Sequence, residues 1–103
     1  MKNDEFSIVE CQMGNCSKFI VKGRINAVNV DYITKMFEEA FKTTCSMVVN
    51  MEHVIFLSSC GIRILLMYYK QVKKQGGSFY IEKPSENVKN VLGMVALDEL
   101  MLQ

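Results

Sequence analysis

The alternation of polar and apolar positions divides the chain into short strand-like runs and helical stripes. Phe6 to Met13 and Cys16 to Lys22 are rich in strand formers and are separated by Gly14-Asn15. In the first run Phe6, Ile8, Glu10 and Gln12 fall on one side and Ser7, Val9, Cys11 and Met13 on the other. That alternation is imperfect, but with the turn residues it predicts a hairpin. A two-residue turn puts Met13 opposite Cys16 and leaves Cys11 out of register with it. Gly23 to Asn29 reads as a connection. Val30, Ile33, Phe37, Ala40 and Phe41 then form one helical stripe, ended by Thr43-Thr44. Asn29 is the expected cap of that helix, and Asp31 suits its first turn. Met47-Val48-Val49-Asn50-Met51 is a buried central strand, and the single histidine, His53, falls in a loop after it.

The rest of the chain is arranged around Val54-Ile55-Phe56-Leu57-Ser58-Ser59-Cys60-Gly61-Ile62-Arg63-Ile64-Leu65-Leu66. An apolar run gives way to small polar and thiol residues, and a helical stripe of Ile62, Leu65, Leu66, Tyr69 and Val72 follows at once. Lys70, Lys73 and Lys74 crowd its last turn, and Gly76-Gly77 stop it. Ser58 or Ser59 is therefore expected to cap this helix with its side-chain oxygen. Negative charge is favoured at such a helix start, so a phosphate there is tolerable. Ser78-Phe79-Tyr80-Ile81-Glu82 is a further strand. Pro84-Ser85-Glu86 opens a last helix, with Ser85 as cap and Val88, Val91, Leu92 and Val95 facing inward.

The order strand, strand, helix, strand, helix, strand, helix implies a mixed β-sheet with right-handed crossovers. The fold is α/β, a single small domain over 1–103 with helices packed on the sheet. A chain of 103 residues can build a core without disulfides or metals. The formal charge of +1 leaves no electrostatic footprint for nucleic acid. No apolar run approaches the roughly 20 residues of a membrane span. The acidic start Met1-Lys2-Asn3-Asp4-Glu5 is unlike a signal peptide, so a cytoplasmic protein is expected. Cys11, Cys16, Cys45 and Cys60 include no C-x-x-C pair and have one histidine for company, so neither metal nor cofactor is expected, and the thiols are reduced.

Phe56-Leu57-Ser58-Ser59-Cys60-Gly61-Ile62, followed by Leu65, resembles the signature F-[IM]-D-S-[ST]-G-[LI]-x-x-L of STAS domains, the sulphate transporter and anti-sigma factor antagonist family. Matched position by position, Ser59 is the serine that is phosphorylated in the family's bacterial anti-sigma factor antagonists. Ser58 replaces the aspartate and Cys60 the second hydroxyl residue. Gly23, Ile25 and Asn29 match a second family block, G-x-[LI]-D-x-x-[TN]-[AS], with Asn26 for the aspartate and Val30 for the small residue. Asn50 also stands where the family usually has an aspartate, and His53 where it has a glycine. Leu97-Asp98-Glu99-Leu100-Met101 is similar to the family's closing element, with Ala96 in place of a glycine.

The resemblance implies an anti-sigma factor antagonist, a binding switch and not an enzyme. Its unphosphorylated form would bind an anti-sigma factor that is itself an ATP-dependent serine kinase, releasing a sigma factor. Phosphorylation of Ser59 would break that complex, and a phosphatase would restore it. The implied partner surface comprises Arg24, Asn26, Asn29, Ser58, Ser59, Cys60, Gly61 and Ile62. A second class is a STAS docking module of a transport or signalling complex that is never phosphorylated. A third is thiol chemistry at Cys60, since a cysteine at a helix start can have a depressed pKa. No acid–base pair, nucleophile–histidine–carboxylate set or Gly-rich phosphate loop supports catalysis.

Overall fold

The computed structural model describes residues 6–97 and 101–102. Strands β1 (Ser7–Met13) and β2 (Cys16–Ile25) form the antiparallel hairpin, with Met13 opposite Cys16 and Cys11 opposite Lys18. Helix α1 (Val30–Phe41) leads to β3 (Ser46–Leu57), α2 (Ser59–Lys74), β4 (Phe79–Glu82) and α3 (Glu86–Met94). The sheet order is β1-β2-β3-β4, antiparallel between the first two strands and parallel elsewhere, so the predicted mixed sheet is observed.

Strand periodicity explains the core. Ser17, Phe19, Val21 and Ile25 of β2, Met47, Val49 and Met51 of β3, and Phe79 and Ile81 of β4 are buried. Ile33, Phe37 and Ala40 of α1 and Leu65, Tyr68 and Val72 of α2 close over them. Phe37 sits at the centre, its ring centroid 4.9 Å from Phe19, 5.4 Å from Tyr68 and 6.4 Å from Phe79. Between these layers Ser17 and Thr44 are buried polar residues, and they satisfy each other with an Oγ–Oγ1 contact of 3.2 Å.

Several boundaries differ from the sequence reading. Strand β2 runs on to Ile25, taking in residues assigned to a connection, and β3 absorbs His53 and the whole apolar run before Ser58. The reason is a pair of register shifts. Ile20 pairs with Asn50 but Lys22 with His53, and Gly23 pairs with Val54 but Arg24 with Phe56. Each leaves one extra residue on β3, which destroys the period-two pattern by which a long strand is read. His53 is accordingly an exposed strand residue, 61% accessible, and not a loop residue.

In α2 the buried positions are Gly61, Leu65, Tyr68 and Val72, while Ile62, Leu66 and Tyr69 are half-buried at the margin of the core. The stripe is rotated because Gly61 has no side chain to reveal it and the adjacent Tyr68 and Tyr69 give the same signal in the sequence. In α3 Val88 and Leu92 are buried and Val91 is half-buried, whereas Val95 is 47% exposed because it forms the C-cap. Both α2 and α3 end in the same way. Gly77 N–H bonds Val72 O and Gly76 N–H bonds Lys73 O; Leu97 N–H bonds Leu92 O and Ala96 N–H bonds Gly93 O. The left-handed residue of this motif is Gly76 (φ 88°) in one helix and Ala96 (φ 60°) in the other. Of the closing element, Asp98 to Leu100 lie outside the described residues; Met101 is buried, and Leu102 bridges Ile81.

On the opposite face of the sheet Lys18 and Glu82 form an ion pair at 2.7 Å, and Asn50 Nδ2 donates to the same carboxylate at 3.1 Å. The Lys18 ammonium, helped by Asn50, holds the Glu82 carboxyl below its ordinary pKa against the opposing effect of burial.

Candidate partner-binding site

The parallel pairing of β2 and β3 brings Arg24 opposite Phe56 and Ile25 opposite Leu57, so both strands end at one edge of the sheet. Ser58 N–H donates to Ile25 O at 2.9 Å, which ties the start of α2 to the end of β2. The loop after β2 is fixed by its two asparagines. Asn26 Oδ1 accepts from Val28 N at 3.0 Å and Asn29 N at 3.3 Å, while Asn26 O accepts from Val30 N at 2.9 Å. Asn29 Nδ2 reaches back to Arg24 O at 2.6 Å. Asn29 therefore occupies the cap position of α1 without capping it. Its φ and ψ of −95° and −17° are already helical, and its side chain is engaged behind it.

Helix α2 takes Ser58 as its N-cap, with extended φ and ψ of −83° and 172°. The expected side-chain cap is absent. Ser58 Oγ lies 2.9 Å from Cys60 Sγ, and Ser59, the first helical residue, is exposed and contributes no cap either. Ile62 N–H is the first to bond within the helix, to Ser58 O at 3.0 Å. The N–H groups of Ser59, Cys60 and Gly61 thus lack an intrahelical acceptor, and no acidic residue sits in the first turn.

Gly61 is buried, and its role is close approach. A Cβ there would stand 2.7 Å from Ile25 Cγ2 and 2.8 Å from Leu57 Cδ1. Ile62 is half-buried against the core. Of the residues expected at a partner surface, Arg24 and Ser59 are exposed, and Asn26, Asn29, Ser58 and Cys60 are half-buried around them. Arg63, on the next turn of α2, also faces solvent.

Two residues of this surface were missed by pattern. Phe56 is 42% exposed, with the Arg24 guanidinium 5.6 Å from its ring centroid. Val28 is 85% exposed at the tip of the loop. Phe56 belongs to the apolar run before Ser58, and next to the buried Leu57 it turns outward. Val28 carried a signal, as an apolar residue between asparagines.

The surface has hydrogen-bonding groups, the arginines Arg24 and Arg63 and exposed apolar side chains, the composition of a docking site. Among the described residues no group of three or more histidine, cysteine, aspartate or glutamate side chains is placed to hold a metal. No helix among them is long and apolar enough to cross a membrane.

A family model for the STAS domain matches residues 10–102, and the chain belongs to that family. No curated protein matches the chain significantly in sequence. Solved structures share the fold. An anti-sigma factor antagonist from Mycobacterium paratuberculosis is 21% identical with a TM-score of 0.83, over 96% of this chain and 86% of that one. The Bacillus cell fate determinant SpoIIAA in its phosphorylated form is 17% identical with a TM-score of 0.77, over 96% and 89%. The murine anion transporter Slc26a9 is 14% identical with a TM-score of 0.66; the match covers 86% of this chain but 15% of the transporter. The STAS fold thus occurs both in anti-sigma factor antagonists and within a transporter.

Proposed function

We propose that the protein is a cytoplasmic anti-sigma factor antagonist, a binding module and not an enzyme, switched by phosphorylation of Ser59. The observation that carries this reading is an exposed serine hydroxyl on the first turn of α2, at the phosphoacceptor position of the family signature, beside an exposed docking surface. Unphosphorylated, the surface around Arg24, Phe56 and Ser59 binds an anti-sigma factor with serine kinase activity, which brings its own ATP. That binding frees the sigma factor. Phosphorylation adds roughly −1.5 to −2 charges and three bulky acceptor oxygens at the centre of the contact, so docking is opposed by repulsion and desolvation. The fold tolerates the phosphate because the unpaired N–H groups of the first turn and the helix dipole favour an anion there. A phosphatase resets the switch.

The uncharged Asn26 and Ser58, where the family has aspartates, favour a second reading, a STAS docking module of a transport or signalling complex that binds without phosphorylation. Intact mass of the protein purified from its own host, with tryptic mapping, separates the two. The switch predicts a fraction carrying one phosphate on Ser59. Unmodified protein under conditions of both active and silent transcription would favour the constitutive module.

A further inference from the structure

The partner-facing edge has an unusual charge balance. Arg24 is exposed and makes no ion pair among the described residues, although Lys18, Lys42 and Lys89 each have a carboxylate partner. Its guanidinium lies 5.6 Å from the Phe56 ring centroid, and its N–H groups have no carboxylate partner among the described residues. Lys22, two residues earlier on β2, is exposed too, but it lines a pocket with Glu52 and Glu86, which leaves Arg24 as the cation of this sheet edge. At the start of α2 beside Arg24, Asn26 and Ser58 are uncharged and the first helical turn has no acidic residue. Beside the cation lie the exposed side chains of Phe56 and Val28.

We infer that this edge receives an acidic segment of the partner, one that sets an aspartate or glutamate carboxylate on Arg24 and an apolar side chain on Phe56 and Val28. The inference rests on the partner-binding reading above and names the chemistry of that partner. Charge complementarity decides the occupant. A basic segment would set its cation against the Arg24 guanidinium, and a purely apolar one would bury that guanidinium unpaired, at a cost of its hydration. A carboxylate takes up the guanidinium N–H edge in bidentate fashion without displacing it from the ring. The same choice sharpens the switch. A phosphate on Ser59 would repel an acidic segment on its neighbouring residues, whereas a basic segment would be drawn to it.

The test uses isotope-labelled full chain and two capped synthetic peptides, identical but for a central glutamate or lysine flanked by leucines. Their binding is followed by the NMR signals of the Arg24 side-chain N–H, the Phe56 ring and the Val28 methyls. The glutamate peptide should move these signals with an affinity at least roughly fivefold above that of the lysine peptide, the scale of one exposed charge contact. Arg24→Lys should keep the preference and Arg24→Glu should reverse it, with unperturbed core signals reporting that both variants are folded. Equal affinities, a preference for lysine, or no movement of these signals with either peptide would overturn the inference. Peptide discrimination is independent of phosphate on Ser59, so loss of the switch and loss of the acidic partner would be seen separately.

Discussion

Helix α3 begins at Ser85, whose hydroxyl accepts from Val88 N at 3.3 Å and donates to Val54 O at 2.6 Å. Helix α2 begins at Ser58, whose hydroxyl faces the Cys60 thiol and caps nothing, leaving the adjoining Ser59 exposed. The two starts share a residue type and an extended backbone, with ψ of 167° and 172°. One is closed by its surroundings and serves the fold, attaching α3 to β3; Asn87 Nδ2 adds a second tie, to Ile55 O at 2.7 Å. The other is left with free N–H groups at the protein surface. Uncapped donors at a helix start are avoidable, and their retention beside the exposed Ser59, the proposed phosphoacceptor, is what sets this start apart from that of α3.

The contrast can be broken first through the core beneath α2. Leu65→Ala removes a buried side chain next to Tyr68 and Gly61 and should cost about 2–5 kcal/mol, whereas Arg63→Ala, one turn exposed, should cost less than about 0.5 kcal/mol. Urea titrations showing equal losses would reject the observed phase of the helix. Next, Gly61→Ala forces a Cβ against Ile25 and Leu57 and should cost about 1–3 kcal/mol, read in the same titration. No loss would mean that β2 and α2 are less closely joined than the geometry requires.

The serines themselves give the sharper test. Ser85→Ala should cost about 0.5–2 kcal/mol, because it strips a cap and a buried-side hydrogen bond. Ser58→Ala should stay within about 0.5 kcal/mol, because no cap is lost. Comparable losses at both positions would erase the distinction between the helix starts. At the opposite ends of the same helices, Ala96→Gly should add up to about 1 kcal/mol by relieving the left-handed backbone that Gly76 already suits.

The smallest effect concerns acid. The Glu82 pKa is lower in the folded chain than in the unfolded one, so the unfolded chain takes up the proton first as pH falls. The ion pair's contribution is therefore complete above the ordinary carboxylate range and is lost as pH drops through the folded value. Glu82→Gln should flatten the acid limb of the stability profile while leaving Ser59 chemistry untouched.

These contrasts also show what could be read from the chain. The hairpin, the order of elements and the mixed sheet were legible because turn residues and helical periods are local signals. Gly14-Asn15 and the stripe from Ile33 to Ala40 are examples. The length of β3 was not, since its two register shifts are defined only by pairing with β2. The signature pointed to the start of α2, which the structure joins to the end of β2, but how the side chains there are engaged was not legible. A cap preference predicts where a helix begins, as it did at Ser85 and, to within the pair Ser58 and Ser59, for α2, but not where the hydroxyl turns. That depends on whether a carbonyl such as Val54 O is within reach. Likewise Arg24 and Phe56 are 32 positions apart, and only the parallel register stacks them.

The most direct measurement compares two forms of the chain against one partner. Ser59→Ala, expected to bind and resist modification, serves as bait to isolate the anti-sigma partner. Calorimetry then gives the partner's affinity for unmodified protein and for protein phosphorylated on Ser59, with Ser59→Asp as an intermediate of one negative charge. A switch at the open start of α2 predicts tight binding of the unmodified form, weaker binding of Ser59→Asp and loss of measurable binding on phosphorylation, all three forms remaining folded. Equal affinity of the unmodified and phosphorylated forms would contradict it, and the surface around Arg24 and Phe56 would then be a constitutive docking site.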